Sequence, residues 1–503
     1  MSYLSRTTAL AEANPVVSLP EAAQLALPEK VLQFGTGVLL RGLPDYLIDK
    51  ANRQGLFNGR IVVVKSTDGG DINAFSRQNG LYTLCIRGIE DGQQVEENVV
   101  CSAISRVLSA KSQWAEILRF AQTPDLEVVI SNTTEVGIQL VADDIRQSPP
   151  VSFPGKLLAV RWKAFKGDKS KGLVIVPTEL LPDNGRKLEA ILLELAHRNE
   201  LEADFIDWLE SANTCCNSLV DRIVPGRPDV AAYNALTEEL GYDDDLLTMS
   251  EVYRLWAIEG DEKVRKVLSF EQADKGVIVQ PDINQFRELK LRMLNGTHTL
   301  SCGLAFLSGF ETVRGAMEDE VLGQFISKLM LDNLRPGIPY KIDEQVSRAF
   351  AGDVLDRFRN PFIEHRWLAI TLNYSAKMQM RNVATLVHYY EQTRQVPQCA
   401  ALGFAAYLLF MRATHQKDQT WYGELSGEEY PIQDEKAGYF ADLWQRLTPA
   451  ELVTIVLHNQ VLWNHDLNAL PGFAAAVAGY LQQMLEEGVY ATLAKHLSSE
   501  VTA

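Results

Sequence analysis

Residues 31–34, VLQF, form a short apolar run that ends at Gly35-Thr36-Gly37, and the apolar helical pattern VLLRGLPDYLIDK follows at once. A strand that turns through Gly-x-Gly into a helix restricts the possible folds more than any other stretch of this chain. Gly35 permits the tight turn, and Gly37 lets another group come close to the backbone. The N–H groups that open the helix favour an anion. Such a unit normally starts a parallel α/β sheet that cradles a pyrophosphate. Leu40 stands where the usual third glycine would be, and Arg41-Gly42 follow.

The next stretches continue the α/β plan. IVVVKST (61–67) reads as a buried strand. Its end carries Lys65 and Ser66, with Asp68 slightly later, where a carboxylate would normally grip the ribose hydroxyls of NAD. Lys65 either favours a 2′-phosphate or is simply solvated, so NAD and NADP both stay open here. GLYTLCIRGIE (80–90) and QQVEENVVCSAISRVLS (93–109) alternate in strand fashion and suggest an inserted hairpin. LEVVISNTTEVGI (126–138) is expected to bring Ser131, Asn132, Thr133, Thr134 and Glu135 to the carboxyl end of the sheet, where ligands bind in such folds. GLVIVPTELLPDNG (172–185) repeats the plan with Thr178, Glu179 and Asn184, and NSLVDRIVPGRP (217–228) adds Asp221 and Arg222.

Around Pro281 the pattern changes. From 284 onwards the spacing is helical almost throughout, with 362–373 among the helices and 416–438 a polar surface loop. The expected organisation is a Rossmann-type α/β domain over 1–281 and a mostly α-helical domain over 282–503. The helical part opens on NQFRELKLRMLNGTHTL (284–300), in which Lys290, Asn295 and His298 interrupt an apolar pattern. On an ideal helix at about 100° per residue, His298 falls near 80° and Asn295 near 140° from Lys290. Lys290 and His298 are then about 12 Å apart along the axis, so they converge only if the lysine reaches forward or the helix bends near Gly296. A lysine in a desolvated site loses proton affinity and suits general acid–base work. An asparagine amide can donate to an oxygen gaining negative charge. The competing interpretation is a buried amphipathic helix with a snorkelling lysine and a core histidine.

Composition narrows the partners. With 48 basic and 65 acidic residues the chain carries a net charge of −17, which argues against nucleic acid and anionic membrane surfaces as partners. Six scattered cysteines, none at zinc-ligand spacing, read as reduced thiols of a cytoplasmic protein. The N-terminal 30 residues lack the pattern of a signal peptide, and no apolar run is long enough to span a bilayer. The eight histidines form no metal-binding motif, so no metal is expected.

FGTGVLLRG, GLYTL, SNTTEVGI, NSLVDRIVPG, KLRMLNGTHT and RFRNPFIEH, in that order, resemble the polyol-specific long-chain dehydrogenases, the mannitol dehydrogenase family. The resemblance covers nearly the whole chain from about residue 30, and Lys-x4-Asn-x2-His is that family's catalytic signature. It implies metal-independent hydride transfer with NAD(H), in a cleft between a Rossmann domain and a helical domain. It implies Lys290 as the acid/base, Asn295 as the stabiliser of the reacting oxygen and His298 as its orienter. Cofactor contacts are expected from Gly35, Gly37, Arg41, Asn132 and Thr134. Substrate contacts are expected from Glu179, Asp221, Arg222, Lys377 and Arg381. Polyol-oxidising members carry a second asparagine donor, whose place here is Leu180. That departure fits the hexuronate branch, whose substrate carboxylate needs a cation: Lys377 and Arg381 first, with Arg222 and Arg357 behind them. Glu288 either relays protons or faces solvent. The alternatives are another sugar-acid or polyol member of the family, or a catalytically silent dinucleotide-binding protein.

Overall fold

The computed structural model describes residues 2–7, 15–66, 72–134 and 136–501. Thr67, Asp68 and Glu135 lie outside the described residues. The chain divides into two compact units, Met1–Gly88 with Gln94–Ile283, and Ile89–Gln93 with Asn284–Ala503.

The first unit is built on strands β1 (Glu29–Phe34), β2 (Arg60–Lys65), β3 (Tyr82–Glu90), β4 (Gln93–Cys101), β5 (Ile104–Ser109), β6 (Val128–Ser131), β7 (Val174–Pro177), β8 (Thr214–Cys215), β9 (Ser218–Asp221), β10 (Thr248–Glu251), β11 (Leu255–Glu259) and β12 (Val277–Gln280). Six of them form one parallel sheet in the order β5-β2-β1-β6-β7-β8. Its strands are apolar on both faces because both are covered. Ile61 and Val63 enter one core and Val62 and Val64 the other; Val128 and Ile130 are likewise separated from Val129. This is the period-2 alternation of a doubly covered strand. The chain runs outward from β1 through β2 to β5 on one side, and through β6 to β8 on the other. The crevice at the carboxyl ends of β1 and β6 is therefore a topological switch point. Register aligns Phe34 with Val64 and Ser131, and Ser131 with Pro177, so the loops after these strands open on one edge. The Rossmann expectation holds.

The inserted hairpin is shorter than its sequence pattern suggested. β3 and β4 join β10 in a small separate sheet, but 104–109 returns to the main sheet as its edge strand β5. Asp49 makes the division. Its Oδ1 accepts the Ser102 N–H at 2.6 Å and the Ser102 hydroxyl at 2.8 Å, fixing the corner between β4 and β5.

The second unit is mostly helical, as expected. Helix α2 (284–307) is its axis, counting the helix after the glycine turn (38–53) as α1. Helices α3 (374–393) and α4 (Gln398–Phe410) pack on α2. Two expectations fail. Only Trp367–Ile370 of 362–373 is helical: Pro361 and Phe362 form a turn, and 363–366 follow it without helical structure. The supposed loop 416–438 contains a three-stranded antiparallel sheet, β13 (His415–Lys417), β14 (Thr420–Leu425) and β15 (Glu428–Ile432). Polar composition hid its alternation. Among the described residues no helix is long and apolar enough to cross a membrane.

Candidate active site

In the first unit the glycine turn follows β1 directly. Gly35 has φ +128°, and a Cβ there would lie 2.7 Å from the Asn132 carbonyl oxygen and 2.8 Å from Leu40 Cδ1. Only glycine fits. At Gly37, which caps α1, a Cβ would meet nothing within 4 Å, so the backbone there faces open space. The missing third glycine is explained by Gly42, where a Cβ would sit 2.7 Å from both Val224 methyls. Close packing of α1 is thus shifted by two residues, and buried Leu40 fills the space against Gly35. A tight turn with an open backbone at a helix N-terminus suits a dinucleotide pyrophosphate.

Arg41 lies beneath this turn. Its guanidinium donates to the Thr36 carbonyl at 2.8 Å and to Thr248 Oγ1 at 3.3 Å, between the rings of Phe75 and Tyr82. Burial lowers its pKa from the usual arginine value. Thr36, Arg41 and Lys65 share the lining of a cavity of about 490 Å³ with Arg77, Arg227 and Asp245. Asn132 Nδ2 donates to the Thr178 carbonyl at 3.1 Å and its hydroxyl at 3.0 Å, tying the loops after β6 and β7 together. Thr134 is exposed on the same loop with φ +110°.

Glu179 is buried and holds that edge. It accepts from the Thr133 N–H at 2.9 Å, the Thr133 hydroxyl at 3.0 Å and the Ser131 hydroxyl at 3.1 Å. Burial raises its pKa, against those hydrogen bonds. Leu180 beside it is 58% exposed and offers no polar donor. Asp221 is buried at the end of β9. Arg222 is buried too and donates to the carbonyls of Gly42 and Glu251, its guanidinium over the Tyr46 ring. Its position makes it a brace for α1.

The second unit holds the lysine set. α2 is α-helical over Asn284–Glu288 and Asn295–Leu307, but Leu289–Leu294 forms a π-turn. There the Asn295 N–H reaches the Lys290 carbonyl, five residues back, as well as that of Leu291. A π-turn absorbs one extra residue, so at about 100° per residue Asn295 comes to about 40° and His298 to about −20° from Lys290. The three side chains share one narrow face. No bend at Gly296 is needed; a Cβ there would lie 2.7 Å from Asn382 Oδ1, so Gly296 admits α3.

Lys290 and Asn295 are half-buried and His298 is buried. The His298 ring packs 4.2 Å from Phe358, 4.9 Å from His365 and 5.9 Å from Trp367, centroid to centroid. Burial, then the charges of His365, Arg357, Arg381 and Lys377, hold its pKa well below 6.5. The imidazole is therefore neutral at neutral pH, and its buried Nδ1 has no hydrogen-bond partner among the described residues. His365 is lowered in the same way, by burial and then by Arg357 and Lys377. Arg381 Nη1 donates to Thr299 Oγ1 at 3.0 Å, and Lys377 Nζ to the Ile370 carbonyl at 3.0 Å. Neither cation has a carboxylate partner among the described residues. Burial, then Arg381, lowers the Lys377 pKa. Glu288 accepts from Arg292 Nε at 3.0 Å, an ion pair one turn apart on α2. His365 and Phe358 were not expected at the site, although both lie in the RFRNPFIEH run already noted.

The arrangement combines a lysine, an amide and a neutral imidazole with two cations that have no carboxylate partner among the described residues. It suits polarising and protonating a carbonyl oxygen on an anionic molecule.

Comparison with known proteins agrees with both halves. The mannitol dehydrogenase Rossmann domain matches residues 29–272, and the mannitol dehydrogenase C-terminal domain matches 282–485. The altronate oxidoreductase of Bacillus subtilis is 39% identical over 477 residues, covering 93% of this chain and 95% of that one. That of Phocaeicola vulgatus is 36% identical over 478 residues, covering 94% and 98%. Among solved structures, Pseudomonas fluorescens mannitol 2-dehydrogenase in its ternary complex with NAD and D-mannitol shares the fold, with TM-score 0.65 and 22% identity over 99% of each chain. So does a substrate-free D-sorbitol dehydrogenase, with TM-score 0.75 and 20% identity over 98% of this chain and 100% of that one. With two domain matches in sequence order and relatives of this similarity along its length, the chain belongs to the mannitol dehydrogenase family.

Proposed function

We propose that this protein is an NAD(H)-dependent oxidoreductase that reduces the keto-uronate D-tagaturonate to D-altronate in hexuronate catabolism. The observation that carries the reading is the pairing, within one unit, of the Lys290–Asn295–His298 face with Lys377 and Arg381, two cations without a carboxylate partner among the described residues. A hexuronate supplies both a ketone and a carboxylate. Relatives named altronate oxidoreductase support the same substrate class. Six free thiols support a reducing, cytoplasmic setting.

The turn at Gly35 and Gly37 would hold the pyrophosphate, with Arg41 beneath it and Asn132 and Thr134 on the adjoining loop. Glu179 holds the carboxyl edge of the same unit, and Asp221 is buried at the end of β9. When bound, NADH supplies the hydride that reduces the ketone carbon. Asn295 donates its amide N–H to the oxygen as negative charge develops there. Neutral His298 donates a second hydrogen bond and orients that oxygen. Lys290 delivers the proton, which completes the alcohol; in the oxidative direction it takes that proton back. Lys377 and Arg381 bind the carboxylate, the arginine by its planar fork.

The test is a substrate panel of D-tagaturonate, D-fructuronate and D-fructose, read by loss of NADH absorbance. The reading expects the highest kcat/KM for tagaturonate. A preference for fructuronate or fructose would assign another member activity of the family, and no turnover on any of them would favour a silent dinucleotide-binding protein.

A further inference from the structure

We propose that Arg292 is a positioning residue that fixes the spacing between the proton donor and the cations that read the carboxylate. The inference rests on the roles given above to Lys290, Lys377 and Arg381.

Arg292 lies in the π-turn Leu289–Leu294, two residues after Lys290. Helix α3 contains a second π-turn, Gln379–Val383, which carries Arg381. A π-turn displaces the regular helical hydrogen bonds and leaves carbonyls in need of other donors. Arg292 supplies them. Its Nη1 donates to the Met380 carbonyl at 2.8 Å and to the Arg381 carbonyl at 3.0 Å. Its Nε is anchored by Glu288 at 3.0 Å, and the side chain is only 10% exposed. A guanidinium with several fixed donors defines a geometry, where a lysine would give only a point contact.

A second tie lies further along the same seam. Arg381 Nη1 donates to Thr299 Oγ1, which itself donates to the Asn295 carbonyl at 2.8 Å. Between the two ties the helices approach closely, Asn382 Oδ1 facing Gly296. The main chain of the carboxylate reader is thus held by the proton donor's own turn, and its side chain by the turn after Asn295. Arg292 has a different task from the residues that touch substrate. It sets how far apart the ketone oxygen and the carboxylate are received, so it acts on the choice between a keto-acid and an uncharged ketose.

D-Tagaturonate and D-tagatose make a suitable pair, because they differ only in a terminal carboxylate or hydroxymethyl group. Arg292→Met keeps the apolar stem and removes the donors. It is expected to lower the tagaturonate-to-tagatose ratio of kcat/KM about 30-fold, mainly through the KM of the acid. NADH affinity should stay near the parent's, and Arg292→Lys should recover part of the ratio. Equal losses on both substrates, or a ratio unchanged from the parent, would overturn the inference. Arg381→Met separates it from the reading beneath. If Arg381→Met leaves the ratio intact, the carboxylate assignment itself is wrong; if that variant collapses the ratio and Arg292→Met does not, only the positioning role is lost. Should Arg292→Met fail to fold, Glu288→Leu releases the Nε anchor alone. A smaller shift of the ratio in the same direction supports the role, and no shift counts against it.

Discussion

His298 and Asp45 are buried titratable groups whose effects on stability run in opposite directions with pH. His298 is held well below 6.5 by burial and by the cations around it. The unfolded chain binds a proton there below its ordinary pKa of about 6.5 and the folded chain does not, so this group makes the fold less stable as pH falls through that range. His298→Leu should flatten the decline between pH 6.5 and 5 in urea unfolding, while lowering turnover about 100-fold by loss of a donor. A decline as steep as the parent's would contradict the assignment. Asp45 sits in α1 under the glycine turn, fully buried, with Gln33 Nε2 at 3.4 Å, and burial raises its pKa to about 7. Here the folded state binds the extra proton. That contribution is complete below the unfolded value, 3.8, and is lost as pH rises through about 7. Asp45→Asn should therefore stabilise the protein at pH 8.5 by on the order of 1–3 kcal/mol and change it little at pH 4. Equal effects at both pH values would show that the carboxyl does not titrate as described. Burial of His298 was raised from the sequence only as the competing interpretation, and Asp45 was not singled out at all. A histidine between Phe358, His365 and Trp367 depends on a segment some sixty residues later, and spacing along one helix cannot report it.

At the scale of elements, π-turns decide what the sequence pattern could not. The residues Lys290, Asn295 and His298 were legible as a set, but on an ideal helix they spread over about 140°, and the relation changes once one residue is absorbed. Deleting Leu291 should restore regular helix. Since Asn295–Leu307 is packed in the core of the second unit, the change would swing Lys290 by about 100°. Turnover should fall at least about 1000-fold, with cooperative unfolding retained in circular dichroism. Full activity in that variant would show that the π-turn has no part in assembling the face. The paired cations on α3 belong to this scale too, since they lie one turn apart. Lys377→Ala with Arg381→Ala should weaken tagaturonate turnover by about 100-fold or more and leave NADH binding, followed by fluorescence titration, unchanged. Unchanged turnover would discard them as carboxylate ligands. The misread elements share a cause. The β4–β5 corner depends on Asp49, some fifty residues earlier, and the β13–β15 sheet is made of polar residues whose pairing is settled by tertiary packing.

For the whole molecule, the division into an α/β part and a helical part was readable because the two periods of hydrophobicity differ so plainly on either side of Pro281. The parallel sheet followed from apolar strands ending in Gly-x-Gly and polar loops, since strands covered on both faces allow few alternatives. Substrate chemistry was less legible. A net charge of −17 says nothing of a local group of cations, and only the fold brings Arg357, His365, Lys377 and Arg381 around His298. The central claim is that the lysine of α2 supplies the proton to a sugar-acid oxygen. It is tested most directly by Lys290→Met, measuring NADH affinity and tagaturonate turnover on the same preparation. Affinity within about twofold of the parent with turnover lowered 100- to 10,000-fold is predicted. Turnover within about tenfold of the parent would contradict the claim, because no proton donor of that importance would have been removed.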